Sequence, residues 1–428
     1  MTSSLRVLVT PREIAGVASG LQDTLGARGH EVDVLLRWTH PFAYAHRPSR
    51  SYLLRKLAPL VVETEGSSLA RLRRLVSLVA RVLLLPFLAA RYDAVVFLGQ
   101  DTFVRGGWDR RLLGRLGVRI ITVFCGSEAR PPYLDGWYAG AGSTTSLDDA
   151  RSAVTRTRER VQQAERDSAA VVNHAGGAQF HTRPFLDWAV VGFAQRQQVV
   201  SAAPDSSSAR SGARLRVLHA PSDPRMKGTH EIRAAMAALA DEGIEFDYVE
   251  VSGRSHTEVL ELLRGADLVV DQLYSDALLP GLATEAARAG TAVLVLGYAS
   301  GLVADAAART GAPTTHYAHP DDLLPRVRRL LTDPVHRASM AADLHAFVTV
   351  GHWSLDAIGQ RWERIVAGDA DPDWYDVPTE IVYADGCAVS ARDDAIFLRL
   401  YVERFGARAL ELDHHPRLAA ALLARVEG

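Results

Sequence analysis

Runs of branched apolar residues recur along this chain, and each is followed by a stretch in which apolar positions return every three or four residues. Leu5–Val9 is such a run, predicted to be a strand buried on both faces of a parallel sheet. A helix is predicted through Ile14–Arg28, ended by Gly29, and then a second strand over Glu31–Leu36. Tyr92–Leu98 and Val118–Phe124 read as further strands. Arg151–Asp167 reads as a long polar helix leading into a strand at Ala169–Asn173. This alternation predicts a doubly wound α/β domain over residues 1–196.

The pattern stops at residues 197–213. Ala202-Ala203-Pro204-Asp205-Ser206-Ser207-Ser208 is too small and polar to support a core, so a linker is predicted there. It then restarts. Strands are expected at Leu215–His219, Phe246–Val251, Leu268–Asp271 and Ala292–Leu296, with helices over Thr229–Asp241, Thr257–Gly265 and Leu282–Ala289 and more through Val366. The economical architecture is two βα domains, 1–196 and 214–366, facing each other across a cleft. Residues 367–428 form a small C-terminal extension of unassigned role. Strands at Glu380–Tyr383 and Ala409–Leu412 and helices near Ser390–Phe405 and at the end would make it βαβα.

Charge adds a second contrast. Residues 1–200 hold 26 Arg+Lys against 17 Asp+Glu, whereas the remaining 228 hold 22 against 33. A basic half facing an acidic half suits a cleft for an anionic ligand or a membrane-facing surface, and equally suits two independently solvated domains. The net charge of −2 suggests no nucleic-acid partner. Cys125 and Cys387 are too few for a disulfide framework and point to the cytoplasm. The N-terminus runs straight into its first strand, without the look of a signal peptide. The most apolar stretch, Leu75–Leu88, contains Arg81 and Pro86 and is too short to span a bilayer. A peripheral membrane contact is allowed by Ala70–Arg91, where Arg71, Arg73, Arg74 and Arg81 sit among leucines, although a helix covering its own sheet explains the pattern better.

Neither a dinucleotide-binding Gly-x-Gly-x-x-Gly nor a phosphate-loop motif follows any predicted strand, which argues against a nicotinamide dehydrogenase and a P-loop ATPase. Three turns at strand ends carry the candidate chemistry. After Leu5–Val9, Gly16 lies where a strand hands over to a helix, a place where backbone amides approach anions. After Val118–Phe124 come Gly126, Ser127, Glu128 and Arg130, at the carboxyl end of a parallel strand where open sheets bind ligands. Glu128 and Arg130 also have the option of pairing with each other. In the second half, Pro280-Gly281-Leu282 opens a helix and presents amides to a phosphate, and Glu285 follows one turn later.

Lys227 stands out by composition. The chain has 48 Lys+Arg, of which only Lys56 and Lys227 are lysines. A compact ammonium enters a tight phosphate pocket that a planar guanidinium overfills. Lys56, beside Arg55 in an amphipathic stretch, reads as a surface charge. Asp369-Ala370-Asp371 has the form of a nucleotide-sugar metal motif, but its Asp/Pro-rich surroundings favour a solvated loop. Asp413-His414-His415 is rejected as a metal site, and no metal ligand set is predicted.

The segments His219-Ala220-Pro221-Ser222…Lys227-Gly228-Thr229, Ala266–Tyr274 and Glu285-Ala286-Ala287-Arg288-Ala289-Gly290 resemble those of the GT-B-fold retaining glycosyltransferases of family four. Gly126-Ser127-Glu128-Ala129-Arg130 is similar to a Gly-Ser-Asp-x-Arg segment of the same enzymes. The resemblance covers roughly 1–366 and is strongest from 214 to 300. It implies a GT-B fold and metal-independent transfer from a nucleoside diphosphate sugar, the co-substrate, with no separate cofactor. Lys227, assisted by Arg225, would contact the diphosphate, and Glu285 would hold the ribose. Amides near Gly281 and Leu282 would cap the distal phosphate, while Gly16 would approach the donor from the other domain.

Three positions depart from the family. Ala277 replaces the first of two glutamates eight apart, with Asp276 beside it. Ser222 stands where an arginine usually precedes the lysine by five. Cys125 stands for a histidine. A catalytically degenerate nucleotide-binding or partner subunit therefore stays open, as does an epimerase or phosphorylase on a similar scaffold. The acceptor, whether glycan, lipid-linked or small molecule, is not disclosed.

Overall fold

The computed structural model describes residues 4–38, 46–62, 70–104, 106–140, 142–196 and 214–427; the predicted linker at 197–213 lies outside the described residues. The chain builds two sheets. The first contains β1 (Arg6–Thr10), β2 (Glu31–Val34), β3 (Ala94–Leu98), β4 (Arg119–Val123), β5 (Ala170–Asn173) and β6 (Phe185–Asp187). The second contains β7 (Leu215–His219), β8 (Phe246–Glu250), β9 (Leu268–Val270), β10 (Ala292–Leu296) and β11 (Tyr317–Ala318), while β12 (Tyr375–Asp376) returns to the first. The orders are β12-β6-β5-β4-β3-β1-β2 and β11-β10-β9-β7-β8. All pairings are parallel except β12 against β6. All five residues of β3 and of β10 are buried, which explains their unbroken apolar sequence: helices cover both faces.

Those helices are α1 (Val17–Ala27), α2 (Tyr52–Val61), α3 (Ala70–Arg91), α4 (Trp108–Arg115), α5 (Gly136–Ala139), α6 (Leu147–Asp167) and α7 (Trp188–Val191) in the first half. The second half has α8 (Thr229–Asp241), α9 (His256–Leu263), α10 (Gly281–Arg288), α11 (Ser300–Thr310), α12 (Leu323–Thr332), α13 (Pro334–Thr349) and α14 (Leu355–Ala367). The extension adds α15 (Ala391–Phe405) and α16 (Pro416–Glu427). Helix α14 follows the second sheet in sequence yet packs against α1 of the first half. Arg28 on α1 meets Glu363 on α14 at 2.6 Å.

The extension differs from the βαβα expectation. Glu380–Tyr383 and Ala409–Leu412 are not strands; tight helical turns occupy Pro378–Glu380 and Ala407–Leu410. Their carbonyls find side chains instead of a ladder. Tyr133 donates its hydroxyl to the Leu410 carbonyl at 2.9 Å, and Tyr401 donates to Ala409 at 3.0 Å. Leu398, Tyr401, Leu418 and Leu422 join Tyr133, Val154, Phe180 and Phe185 in one apolar cluster. The extension is therefore part of the first domain's core, and its removal would expose that core to water.

Candidate active site

Strand ends from both sheets meet at the cleft, and two cavities lie there side by side. The first, about 340 Å³, is lined by Ser222, His256, Leu282 and Glu285 from the second half and by Ala15 and Gln195 from the first. The second, about 310 Å³, is lined by Gly126, Ser127, Arg130, His174 and Trp188 from the first half and by Gln272, Asp276, Ala277 and Leu279 from the second. Ala15 and Gly281 belong to both walls, so the cavities meet there.

Helix α10 begins at that junction. Pro280, its N-cap, offers no side-chain cap. The buried Asp271 carboxyl lies near the third amide, on Ala283, which partly offsets the rise that burial imposes on its pKa. No acceptor among the described residues engages the Gly281 and Leu282 amides, and both residues line the cavities. Two free amides at the positive end of a helix dipole are the arrangement from which a helix can hold an anion. One turn on, Glu285 accepts hydrogen bonds from Gln195 Nε2 at 2.7 Å and His256 Nε2 at 2.6 Å, which fixes its carboxylate at the cavity wall.

The first turn behaves otherwise. Gly16 is left-handed (φ 81°) and precedes α1, as glycine permits. Yet the Ala18 and Ser19 amides, 3.1 Å from the two oxygens of Glu13, are spent on the protein's own carboxyl. Burial pushes the Glu13 carboxyl up, and these amides only partly offset it. Ala15, one residue before Gly16, lines both cavities, which Gly16 does not; a Cβ placed on Gly281 would lie 3.8 Å from the Ala15 Cβ. Ala15 itself is left-handed (φ 49°), an uncommon conformation for alanine and the kind of strain held at functional sites.

Lys227 and Arg225 do not line either cavity. The Lys227 Nζ donates to Gln272 Oε1, a wall residue of the second cavity. Gly228 explains the turn: it is left-handed (φ 69°), and a Cβ there would come within 2.6 Å of the Leu273 Cβ. Arg225 lies over the Trp137 ring at 5.7 Å, bridging the two halves at the cleft rim. His219, at the end of β7, is a structural residue. Nδ1 donates to the Val270 carbonyl and Nε2 accepts from Thr229, each at 2.8 Å, and burial holds its pKa below the usual imidazole value.

Of the other predicted residues, Gly126 and Ser127 reach the second cavity and Glu128 does not. Burial raises the Glu128 carboxyl pKa. Arg130 does not form its ion pair with Glu128. It pairs with Asp135 at 3.0 Å and, across the cleft, with Asp276. Burial alone would raise Asp276, but Arg130 outweighs it and holds the carboxyl below its usual range. Ala277 lines the cavity where a second carboxylate would stand.

Several wall residues escaped the sequence reading. His174 follows β5, and the rule that singled out residues 126–130 would have found it. Its Nδ1 lies 4.0 Å from Asp276 without a hydrogen bond, and burial lowers its pKa. Gln195 and His256 become visible only once the halves meet. Cys387 had no local signal at all: it arrives on the extension, where its amide donates to Leu134 and its carbonyl accepts from Gly136. The next residue, Ala388, donates its amide to Tyr274 of the second half at 2.8 Å. The extension thus closes one wall of the second cavity. Both cysteines line it, and burial pushes both thiols up.

Among the described residues no three His, Cys, Asp or Glu side chains are grouped to hold a metal ion. Asp369 and Asp371 both pair with Arg364. His414 and His415 bind separate backbone carbonyls, of Gln179 and Ile381.

No protein-family model matches the sequence, and no curated protein matches it. Solved structures do. The Anabaena protein HepE in complex with UDP and glucose shares 12% identity over 85% of this chain and 99% of its own, with a TM-score of 0.51. HepE in complex with UDP-glucose shares 13% identity over the same fractions, also with a TM-score of 0.51. At such identity the likeness concerns architecture: this chain has the GT-B fold, two Rossmann-like α/β domains built on parallel sheets.

Proposed function

We propose that the protein is a glycosyltransferase that moves a sugar from a nucleoside diphosphate donor to an acceptor, without a bound metal and with retention of anomeric configuration. The observation that carries this reading is the pair of free amides, Gly281 and Leu282, at the meeting point of two cavities of ligand size. The first cavity suits the nucleoside, with Glu285 accepting from ribose hydroxyls and Ser222 nearby. The second suits the sugar and the acceptor's reacting group, beside Gly126 and Ser127. HepE, a structure of the same architecture, holds UDP and glucose, so uridine is the base to try first.

Breaking the donor's glycosidic bond leaves a negatively charged diphosphate. Stabilising that charge is the main catalytic task. The helix α10 amides supply oriented dipoles, each charge-assisted bond contributing about 1.5–3 kcal/mol. Lys227, bonded to the wall residue Gln272, adds positive potential, and Arg225, over the Trp137 ring, adds a second cation. Asp276 is tied to Arg130 and acts in this scheme as a positioning carboxylate rather than a nucleophile. Retention rests on the resemblance to family four.

The test is turnover of labelled nucleotide sugars by the purified protein, with Lys227→Ala beside it. Loss of about 100-fold or more in kcat/KM at unchanged thermal stability supports the scheme, as expected for removal of a transition-state donor. Full activity of Lys227→Ala would remove the lysine from it. A second reading, a nucleotide-binding subunit without turnover, is favoured by Ala277 at the wall and by Lys227 bonding to Gln272. Binding of a nucleoside diphosphate with no transfer or hydrolysis would select that reading.

A further inference from the structure

Helix α3 is inverted. On its outward side Leu75, Val76, Val79, Val82 and Leu83 are exposed, Leu83 by 73% and Leu75 by 57%. These positions recur at helical spacing and form one apolar stripe. The inward side carries Leu84, Leu85 and Leu88 against the sheet, but also Ser77 and Arg81, both buried. Ser77 donates to the Val61 carbonyl of α2 at 2.8 Å and Arg81 Nε to the Ser77 carbonyl at 3.1 Å. Ser77 thus fastens α3 to α2 and Arg81 bonds back onto its own helix, while large aliphatic groups are left in water. Helix α2, which packs against α3, adds Tyr52, Leu53 and Leu60, all exposed. Eight of the large exposed apolar side chains of the described residues fall on these two packed helices, a concentration unlike the single scattered residues of an ordinary surface.

The charges around the patch decide what covers it. Helix α2 carries two basic residues and α3 five, and neither contains an acid. Arg55, Lys56 and Arg74 are exposed beside the stripe, and Lys56 lies 5.6 Å from the centre of the Tyr52 ring. A protein partner or a second copy would have to cover apolar groups and supply acids; the interface of an anionic bilayer provides both at once, apolar depth beneath negative headgroups. Among the described residues no helix is long and apolar enough to cross a membrane, so the contact lies in the plane of the interface.

We infer that the α2–α3 face docks on an anionic lipid surface, with Leu75, Val79, Val82 and Leu83 entering the headgroup boundary and Arg55, Lys56 and Arg74 paired with lipid phosphates. This inference is independent of the proposed transfer reaction. The test is co-sedimentation of the full chain with vesicles of pure phosphatidylcholine or of phosphatidylcholine mixed equally with phosphatidylglycerol, at low and high salt. Binding at least roughly tenfold stronger to the anionic vesicles, weakened by salt, is expected. Leu75→Gln with Leu83→Gln should weaken it about tenfold or more. Arg55→Gln, Lys56→Gln and Arg74→Gln together should abolish the preference for anionic lipid. All these side chains are exposed, so unchanged thermal unfolding is expected and serves as the control. Wild-type protein that stays in the supernatant with both vesicles overturns the inference. So does a solution dimer that the leucine variant dissociates without any vesicle binding, which would assign the face to a second copy.

Discussion

Two helices begin at the cleft, one from each half, and they use their N-termini in opposite ways. At α1 the protein supplies its own anion: Glu13 takes the Ala18 and Ser19 amides. At α10 the cap is Pro280, which has no side-chain acceptor to offer, and Gly281 and Leu282 are left open beside two cavities. Both turns look alike in sequence, a strand followed by a glycine near a helix start. One is a closed structural joint; the other leaves two amides without an acceptor among the described residues. The difference depends on what stands at the cap position and on which carboxyl can fold back.

The largest test of this contrast acts on stability. Glu13→Ala strands two buried amides and leaves a hole, and should cost about 3 kcal/mol in chemical unfolding. Gly281→Pro is its counterpart. Proline is tolerated at the first helical position, so stability should hold while one amide disappears. Affinity for a nucleoside diphosphate, read by calorimetry, should fall roughly tenfold to 100-fold, the worth of one charge-assisted bond. Equal loss of stability in both variants would erase the distinction.

Acidity sharpens the contrast further. Burial holds the Glu13 pKa above its unfolded value, so the folded state keeps this proton longer than the unfolded chain does. Its contribution to stability is present below the ordinary carboxylate range and lost as pH rises through the raised pKa. Glu13→Gln should therefore gain on wild type as pH rises from about 4.5, the ordinary glutamate value. Asp276 has the opposite sign. Its pKa is held down by Arg130, so its contribution is present above the ordinary aspartate range and lost on acidification. Arg130→Ala should remove that acid dependence and destabilise the protein by about 3 kcal/mol, because two buried carboxyls lose their partner. The smallest effect is expected from Ala15→Gly, which relieves a left-handed alanine and should raise stability by about 1 kcal/mol in thermal unfolding.

Much of this molecule was legible before its structure. The strands at 215–219 and 292–296 and the helix at 229–241 were placed to the residue, because long buried parallel strands and well-punctuated helices write their period into the chain. Short pieces were not: β6 and β12 have three and two residues, too few to show a period. The extension misled for a physical reason. Ala409, Leu410 and Leu412 are buried against a helical core, and apolar runs of that length do not reveal whether a ladder or tyrosine hydroxyls will take their carbonyls.

The candidate site divides in the same way. Gly281, Leu282, Gly126 and Ser127 were singled out by their place at strand ends, Glu285 one helical turn further on and Ser222 through the resemblance; all six line the cleft. Lys227 was singled out by rarity; it lines neither cavity and bonds to the wall residue Gln272. Gly16 was singled out as a glycine where a strand hands over to a helix, and its neighbour Ala15 lines both cavities. What sequence lacked was long-range: Gln195 reaching Glu285 across the cleft, and Cys387 delivered by a segment that seemed an appendage.

A structure of the protein soaked with UDP tests the central claim most directly. Phosphate oxygens within hydrogen-bonding distance of the Gly281 and Leu282 amides, with the ribose at Glu285, are the predicted result. A diphosphate held at the α1 turn, or nucleotide bound away from both cavities, would contradict it.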